Sequence, residues 1–175
     1  MLAAGCGAAL VAVIALAVFV SRRPQTAAVT GGAASPAEQA VGCSQMEQVS
    51  YHVHAHLAIF DQGQPVAVAA NVGILPTCIS WLHTHAADGI LHIEAPAPHT
   101  YTLGQFFRVW GQPLDATHLL NRAADGEHEI RTFVDSQPYA EGPPESIRLT
   151  PHAVIVLEYG PPFVPPPTFA FPPGV

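Results

Sequence analysis

The chain has 175 residues, a length typical of one domain, and thirteen acidic residues against six basic ones, all of them arginine. Two arginines, Arg22 and Arg23, come directly after an apolar N-terminal segment, so the rest of the chain carries every acid and only four cations. This acidic balance repels nucleic acid and anionic lipid, which argues against a nucleic-acid-binding role.

The N-terminal segment Leu2–Val20 is almost wholly apolar and just long enough to span a bilayer. We expect residues 1–21 to be a signal anchor or, alternatively, a cleaved signal peptide. Taken alone, Arg22 and Arg23 favour a cytoplasmic position for the residues on their C-terminal side. Residues 22–42 are rich in Ala, Gly, Ser, Thr and Pro, which predicts a flexible linker.

Two cysteines, Cys43 and Cys78, lie outside the apolar segment and predict a disulfide in an oxidising compartment. Two free thiols, or two soft metal ligands, are the alternatives. We therefore expect an extracytoplasmic domain, held by a single membrane pass or secreted after signal cleavage. A bond would close a loop of about 35 residues and contribute about 3–4 kcal/mol.

The globular part is expected over residues 43–160. Asp61–Gly63 and Ala86–Gly89 are turn signals, and each lies between two segments with strand character. The sequence therefore predicts two hairpins, formed by Tyr51–Phe60 with Gln64–Ala70 and by Ile79–His85 with Ile90–Glu94.

A helix is predicted after Thr102, because Thr102 and Gln105 form a capping box and Gly111 is placed as a C-cap. Ala116–Ala124 is expected to be a second short helix. A strand is predicted at Glu129–Asp135, and Ser146–Leu149 and Ala153–Tyr159 are expected to form one or two more. Residues 161–175 are dominated by proline and are expected to be an extended, disordered tail.

These elements predict an α+β fold: a β-rich single domain of hairpins with one main capped helix. The order of the elements in the second half resembles the closing half of β-grasp domains. A small sandwich or a half-barrel satisfies the same pattern.

Histidines are concentrated between Tyr51 and Glu94, which holds six of the chain's ten. His52, His54 and His56 alternate with apolar residues, the period of a strand with one buried face. Histidines two residues apart on a strand share one face, with Cβ atoms about 7 Å apart, so both rings can bind one ion. This face is a candidate metal site.

The second hairpin adds three more candidate ligands. A four-residue loop would place His83 opposite His92 and Trp81 opposite Glu94. His83, His85, His92 and Glu94 would then share a face. Glu94 and Asp88 are possible outer carboxylates that orient the imidazole rings.

Imidazole ligands suit copper and zinc. Met46 is the only methionine besides the initiator, so a thioether-rich copper(I) site is not expected. A polar or pH-responsive histidine face without metal is the alternative.

The run WLHTH…GILHIEAP…YTLGQFFRVWGQPL, preceded by HVHAHLAIFDQGQPV, resembles a family of uncharacterised, membrane-tethered extracytoplasmic bacterial and archaeal proteins. The resemblance covers nearly all of Tyr51–Leu114. Family members carry HTHD before the turn, whereas this chain has Ala86 there and an acid two residues later, at Asp88. The family has no assigned activity, so the resemblance implies location and domain integrity.

Three functions remain open. The first is a tethered extracytoplasmic domain that binds copper or zinc for sensing, storage or delivery. The second is a metal-dependent hydrolytic or redox enzyme, with Glu94 as general base. The third is a metal-free envelope interaction domain. The histidine motif holds no clear nucleophile or second catalytic carboxylate, so no catalytic residue is assigned and a binding role is favoured.

Overall fold

The computed structural model describes Met1 and residues 40–175 of the chain. In this part lie eleven strands, one α-helix and one 3₁₀ helix at Pro144–Ser146. The helix α1 is Leu103–Trp110. The strands are β1 Cys43–Ser44, β2 Tyr51–Asp61, β3 Gln64–Val66, β4 Ile79–Ser80, β5 Leu82–His83, β6 Ile90–Ala95, β7 His118–Leu119, β8 Arg122–Ala123, β9 Glu129–Val134, β10 Gln137–Pro138 and β11 Val154–Gly160.

A mixed sheet with the order β10-β9-β11-β2-β6-β5 forms the centre of the fold. The long strand β2 pairs antiparallel with β6 over its first half and with β3 at its end, and parallel with β11 along its other edge. Alternate β2 residues Ala55, Leu57 and Ile59 are buried in the apolar core. The histidines therefore point to the opposite face, as the period-two pattern predicts.

Helix α1 supplies much of the core, and its predicted caps are confirmed. Thr102 Oγ1 accepts from the Gln105 N–H, and Gln105 Oε1 accepts from the Thr102 N–H. Gly111 ends the helix in the left-handed region, at φ 71°. Phe106 and Phe107 are almost fully buried in the same apolar cluster as the core face of β2. Together the sheet and helix confirm the α+β class, whereas the β-grasp-like order stays a prediction.

The predicted helix at Ala116–Ala124 is wrong, because β7 and β8 form a short hairpin there. Asp115 Oδ1 accepts hydrogen bonds from the Thr117 and His118 N–H groups, a local bond pattern that competes with helix formation. Leu120 at the turn has φ 54°, which a helix excludes.

The predicted strand at Ser146–Leu149 is also replaced. The 3₁₀ helix ends at Ser146, and Arg148 makes a single bridge to Thr102. The neighbouring backbone bonds join Leu103 N–H to Ile147 O and Leu149 N–H to Tyr101 O. This segment therefore fastens the start of α1 and adds no strand to the main sheet.

The second hairpin is shorter than predicted, because β5 stops at His83. Thr84 is fully buried, and its hydroxyl donates to Ala69 O and accepts from the Val72 N–H. Because of these bonds, the chain after His83 no longer pairs with β6, and His85 lies in the loop that leads to β6.

The proline-rich residues 161–175 contain no helix or strand, and several of their side chains lie against residues of the sheet. The Phe163 ring lies 3.6 Å from the Arg131 guanidinium, and the Phe169 ring stacks on His56 at 3.6 Å between centroids. Aromatic residues between the prolines provide these contacts.

The expected anchor and most of the expected linker fall in residues 2–39, outside the described residues. Among the residues that are described, no helix is both long and apolar enough to cross a membrane.

Candidate metal centre

The predicted disulfide between Cys43 and Cys78 is present, and it joins the first residue of β1 to the residue directly before β4. Strand β1 pairs with β4, so that Cys43 lies opposite Ser80. The chain leaving β1 then places the Glu47 carboxylate 3.3 Å from His85 Nε2. The bridge and the β1–β4 pair thus carry an acid to the histidine face.

Three adjacent strands bring the histidines together. In the β5–β6 pair His83 lies opposite His92, as predicted from the turn. In the β2–β6 pair His54 lies opposite His92, and His52 lies opposite Glu94. Directly opposed residues have Cβ atoms about 4.5–5.5 Å apart, so one row of imidazoles crosses all three strands.

The first donor group consists of His52, His54, His92 and Glu94, whose ligand atoms all lie within 4.8 Å of one another. Its contacts close a ring. His54 Nε2 lies 3.0 Å from His52 Nε2 and 3.1 Å from His92 Nδ1. Glu94 Oε1 lies 3.0 Å from His52 Nε2 and 3.2 Å from His92 Nδ1. Tetrahedral donors at about 2.1 Å from zinc are about 3.4 Å apart, so this spacing is close to that of a metal shell.

The second donor group consists of His83, His85, His92 and Glu94, again within 4.8 Å of one another. His83 Nε2 lies 3.3 Å from His85 Nε2 and 3.8 Å from Glu94 Oε1. The His83 Nδ1–H donates to Ser80 O at 2.9 Å, because a carbonyl can only accept. This bond leaves a lone pair on His83 Nε2, directed at the group, as in many metal-bound histidines.

Burial keeps His54, His83 and His92 neutral. Desolvation, followed by repulsion from neighbouring imidazoles, lowers the pKa of His54 to about 4 and that of His92 to about 3. Burial also lowers the pKa of His83. A neutral imidazole is the form that binds a metal, so these rings need not lose a proton at neutral pH.

Glu94 is the shared carboxylate of both groups. Its side chain is 2% exposed, and burial, followed by repulsion from Glu47, raises its pKa to about 7. Glu94 Oε2 is buried and has no hydrogen-bond partner among the described residues. A buried, unpartnered carboxylate oxygen is costly unless a cation satisfies it.

Two predicted site residues lie outside both groups. His56 is on the same strand face, but its Nε2 contacts Asp88 O at 3.2 Å and its ring stacks on Phe169. The Asp88 side chain accepts from the Ile90 N–H and shapes the turn. Burial lowers the pKa of His56, so this histidine is a neutral, packed residue beside the centre.

Glu47 is a candidate ligand beyond those predicted from the sequence. Its proximity to His85 depends on the disulfide and on the β1–β4 pair. The sequence contains one signal for it: an acid four residues after Cys43, whose bonding partner comes five residues before His83.

A cleft of about 350 Å³ opens beside the first group. His152 lies on its wall and is close enough to contribute to the lowered pKa of His54. The cleft is lined by His52, Val53, His54, Pro151, His152, Gly174 and Val175.

Comparisons with known protein families, with curated proteins and with solved structures found no match for this chain. The histidine and glutamate cluster could hold a metal ion, and its chemistry is the basis for inferring a function.

Proposed function

We propose that this chain is a membrane-tethered extracytoplasmic domain that binds copper or zinc through its histidine face, for sensing, storage or delivery. The observation that carries the proposal is the closed ring formed by His52, His54, His92 and Glu94, with contacts of 3.0–3.2 Å. Three imidazoles and one carboxylate are a donor set that suits both metals.

The gradient of exposure across the cluster supports reversible binding. His83 and Glu94 are almost fully buried, whereas the His52 and His85 side chains are 37% and 45% exposed. The inner donors are fixed by the sheet, and the outer ones can swing toward solvent. An ion can therefore enter and leave at this rim, as storage or delivery requires.

The proposed location is supported by the Cys43–Cys78 bond, because disulfides persist in oxidising compartments. The apolar segment Leu2–Val20 is the proposed anchor, with a cleaved signal peptide as the alternative. The resemblance to membrane-tethered extracytoplasmic proteins points the same way.

Metal analysis of the full-length chain, purified without a histidine tag and loaded with copper(II) or zinc(II), tests this proposal. We expect at least about one molar equivalent in the wild type, since a four-donor site is filled by one ion. The His92→Asn/Glu94→Gln variant removes the donors common to both groups and should lose most of this metal. The His99→Asn/His118→Asn variant, altered at two exposed histidines outside the cluster, is the matched control. Metal-free wild type, or equal loading of the central variant, would refute the proposal.

A metal-dependent enzyme is a second candidate, favoured by the cleft between His52, His54 and His152. An ion in the first group would border this cleft, where a small molecule has room to bind. Azide added to the copper-loaded chain distinguishes the two functions. A new charge-transfer band would show an open coordination position and favour catalysis, whereas an unchanged spectrum would favour storage or delivery.

A further inference from the structure

The six donor residues of the cluster form two overlapping groups. His52 and His54 belong to one, His83 and His85 to the other, and His92 and Glu94 to both. We infer that the centre holds two transition-metal ions bridged by the Glu94 carboxylate. This inference deepens the proposed function, since it rests on metal binding at the same cluster and specifies how many ions it takes.

The number of donors exceeds what one ion uses. A four-coordinate zinc or copper ion takes four ligands at about 2.0–2.3 Å, which leaves two of the six donors over. We call the pairs His52/His54 and His83/His85 the two flanks of the cluster. Each flank contains a buried histidine whose Nε2 lies within the cluster. His54 is 6% exposed, with Nε2 between His52 and His92, and His83 is fully buried, with Nε2 aimed at the cluster by its bond to Ser80.

Glu94 has the geometry of a bridging ligand. Its Oε1 lies 3.0 Å from His52 Nε2 and 3.8 Å from His83 Nε2, and so reaches donors that belong to different groups. Its Oε2 is buried and, within the described part of the chain, accepts no hydrogen bond. A carboxylate that binds one ion through each oxygen would satisfy both atoms. Ions in bridged pairs are about 3.5–4 Å apart, a distance that such a bridge can span.

Glu47 completes the set of ligands for the second ion. Its carboxylate lies 3.3 Å from His85 Nε2, at the more exposed side of the second group. One ion would then take His52, His54, His92 and Glu94, and the other would take His83, His85, Glu94 and Glu47. Each ion has four donors in this assignment, and the two carboxylates offset part of the ions' charge.

Metal stoichiometry of the full-length chain, loaded with zinc(II) and measured on four proteins, tests the inference. We expect about two equivalents in the wild type, since each four-donor group holds one zinc ion. The His52→Gln/His54→Gln variant should keep about one equivalent, and so should His83→Gln/His85→Gln, because each retains one group. The His99→Gln/His118→Gln control should keep both ions.

Copper(II) loading adds a test of the bridge. Two copper ions about 4 Å apart broaden each other's paramagnetic resonance and give a half-field signal. The signal should disappear in either flank variant, which leaves a single ion, while Glu94→Gln should weaken it together with the second equivalent of metal.

The possible outcomes separate this inference from the proposed function. One equivalent in the wild type, lost in either flank variant, would overturn the two-ion centre and leave metal binding intact. Loss of both ions in a flank variant that keeps the wild-type circular dichroism spectrum would also overturn it. No metal in the wild type would refute the proposed function itself.

Discussion

Glu94 determines the electrostatics of the cluster, because in the described part of the chain it is the only buried acid that belongs to both donor groups. Without metal, its carboxyl has a pKa near 7 while His54 and His92 have pKa values near 4 and 3. At pH 7 these two imidazoles are therefore neutral, and Glu94 is about half protonated. An ion replaces the proton on Glu94 and supplies the positive charge that the imidazoles lack.

The metal-free chain should lose stability as the pH falls from about 6.5 to 4. His54 and His92 have folded-state pKa values below the ordinary 6.5, so in this range the unfolded chain binds more protons than the folded one. Their contribution is complete above pH 6.5 and is lost toward pH 4 and 3. Glu94 has the opposite effect, because its pKa is raised in the folded state. The stability that it contributes is complete below about pH 4.5 and is lost as the pH rises through 7.

Buried histidines with lowered pKa values (His54, His56, His83 and His92) outnumber buried carboxyls with raised ones (Glu94 and Glu158), so urea denaturation at pH 7, 5.5 and 4.5 should show a falling free energy of unfolding. In the His92→Asn variant the slope should be smaller, since one of these histidines is gone. A stability that is flat, or that rises toward pH 4.5, would contradict the neutral buried imidazoles.

Some of this chemistry was predictable at the level of single residues. Period two placed His52 and His54 on one face, and the turn length placed His83 opposite His92. The exclusion of His56 was not predictable, because it depends on contact with Asp88 and with Phe169, a residue distant in sequence. Glu47 was missed for the same reason, since a disulfide brings it to the site.

Among the elements, the turn between β5 and β6 controls how β6 meets β2. Gly89 has φ 81°, and its carbonyl accepts from the Leu57 N–H at 2.9 Å. A Cβ at this position would collide with Leu57 O and come within 2.9 Å of His56 Nε2. The turn therefore needs glycine both for its backbone angle and for close approach to β2.

Replacement of this glycine, Gly89→Ala, should lower the free energy of unfolding by about 2 kcal/mol or more, from backbone strain and the forced shift of β2. Urea denaturation measures the change. Gly126→Ala is the matched control, because a Cβ there has no heavy atom within 4 Å and should cost little. Equal stability of both variants would show that the turn tolerates a side chain.

The disulfide stabilises the fold by closing a loop, in addition to placing Glu47 beside His85. It joins residues 35 apart in sequence, and a loop of this size is worth about 3–4 kcal/mol in the chain-entropy model. The free energy of unfolding of the Cys43→Ser/Cys78→Ser variant should be lower by that amount, as measured by urea denaturation. Reductant should bring the wild type to the same urea midpoint as the variant. Reductant should not affect the variant. A loss below about 1 kcal/mol would mean that the β1–β4 pair holds this region without the bond.

At the scale of the whole molecule, the tail is part of the packed structure. Its backbone N–H at Val164 donates to the buried Glu158 Oε1, and its rings contact His56, Arg131 and His152. These residues come from β2, β9 and the turn before β11. The tail therefore ties together strands from both halves of the sheet.

Deletion of residues 164–175 should lower the free energy of unfolding by about 2 kcal/mol, because it exposes apolar and aromatic surface and removes the N–H partner of Glu158. Urea denaturation is again the measurement. Replacement of the same residues by a Gly/Ser segment of equal length should cost a similar amount, which separates lost contacts from chain length. Wild-type stability of either chain would support the disordered tail that the composition predicts.

The fold class and its best-marked elements were predictable, because α1 has both caps in its sequence and β2 has strict alternation. The strand order was not. Parallel pairing of β2 with β11 joins residues that no turn signal links, such as His56 and Val154. The errors at Ala116–Ala124 and Ser146–Leu149 arose where side-chain and long-range backbone bonds overrode local propensity.

Strands β2 and β11 are neighbours in the sheet but lie far apart in sequence, which has a consequence for folding and for metal binding. All the candidate donors lie within a stretch of about 50 residues. The parallel partner of β2, in contrast, lies roughly 100 residues further along the chain, and such distant pairings form slowly. The unfolded chain thus already carries HxHxH and HxH segments that can chelate. An ion bound in both states stabilises the native one by less than its affinity implies. A modest rise in melting temperature on loading is therefore compatible with tight binding.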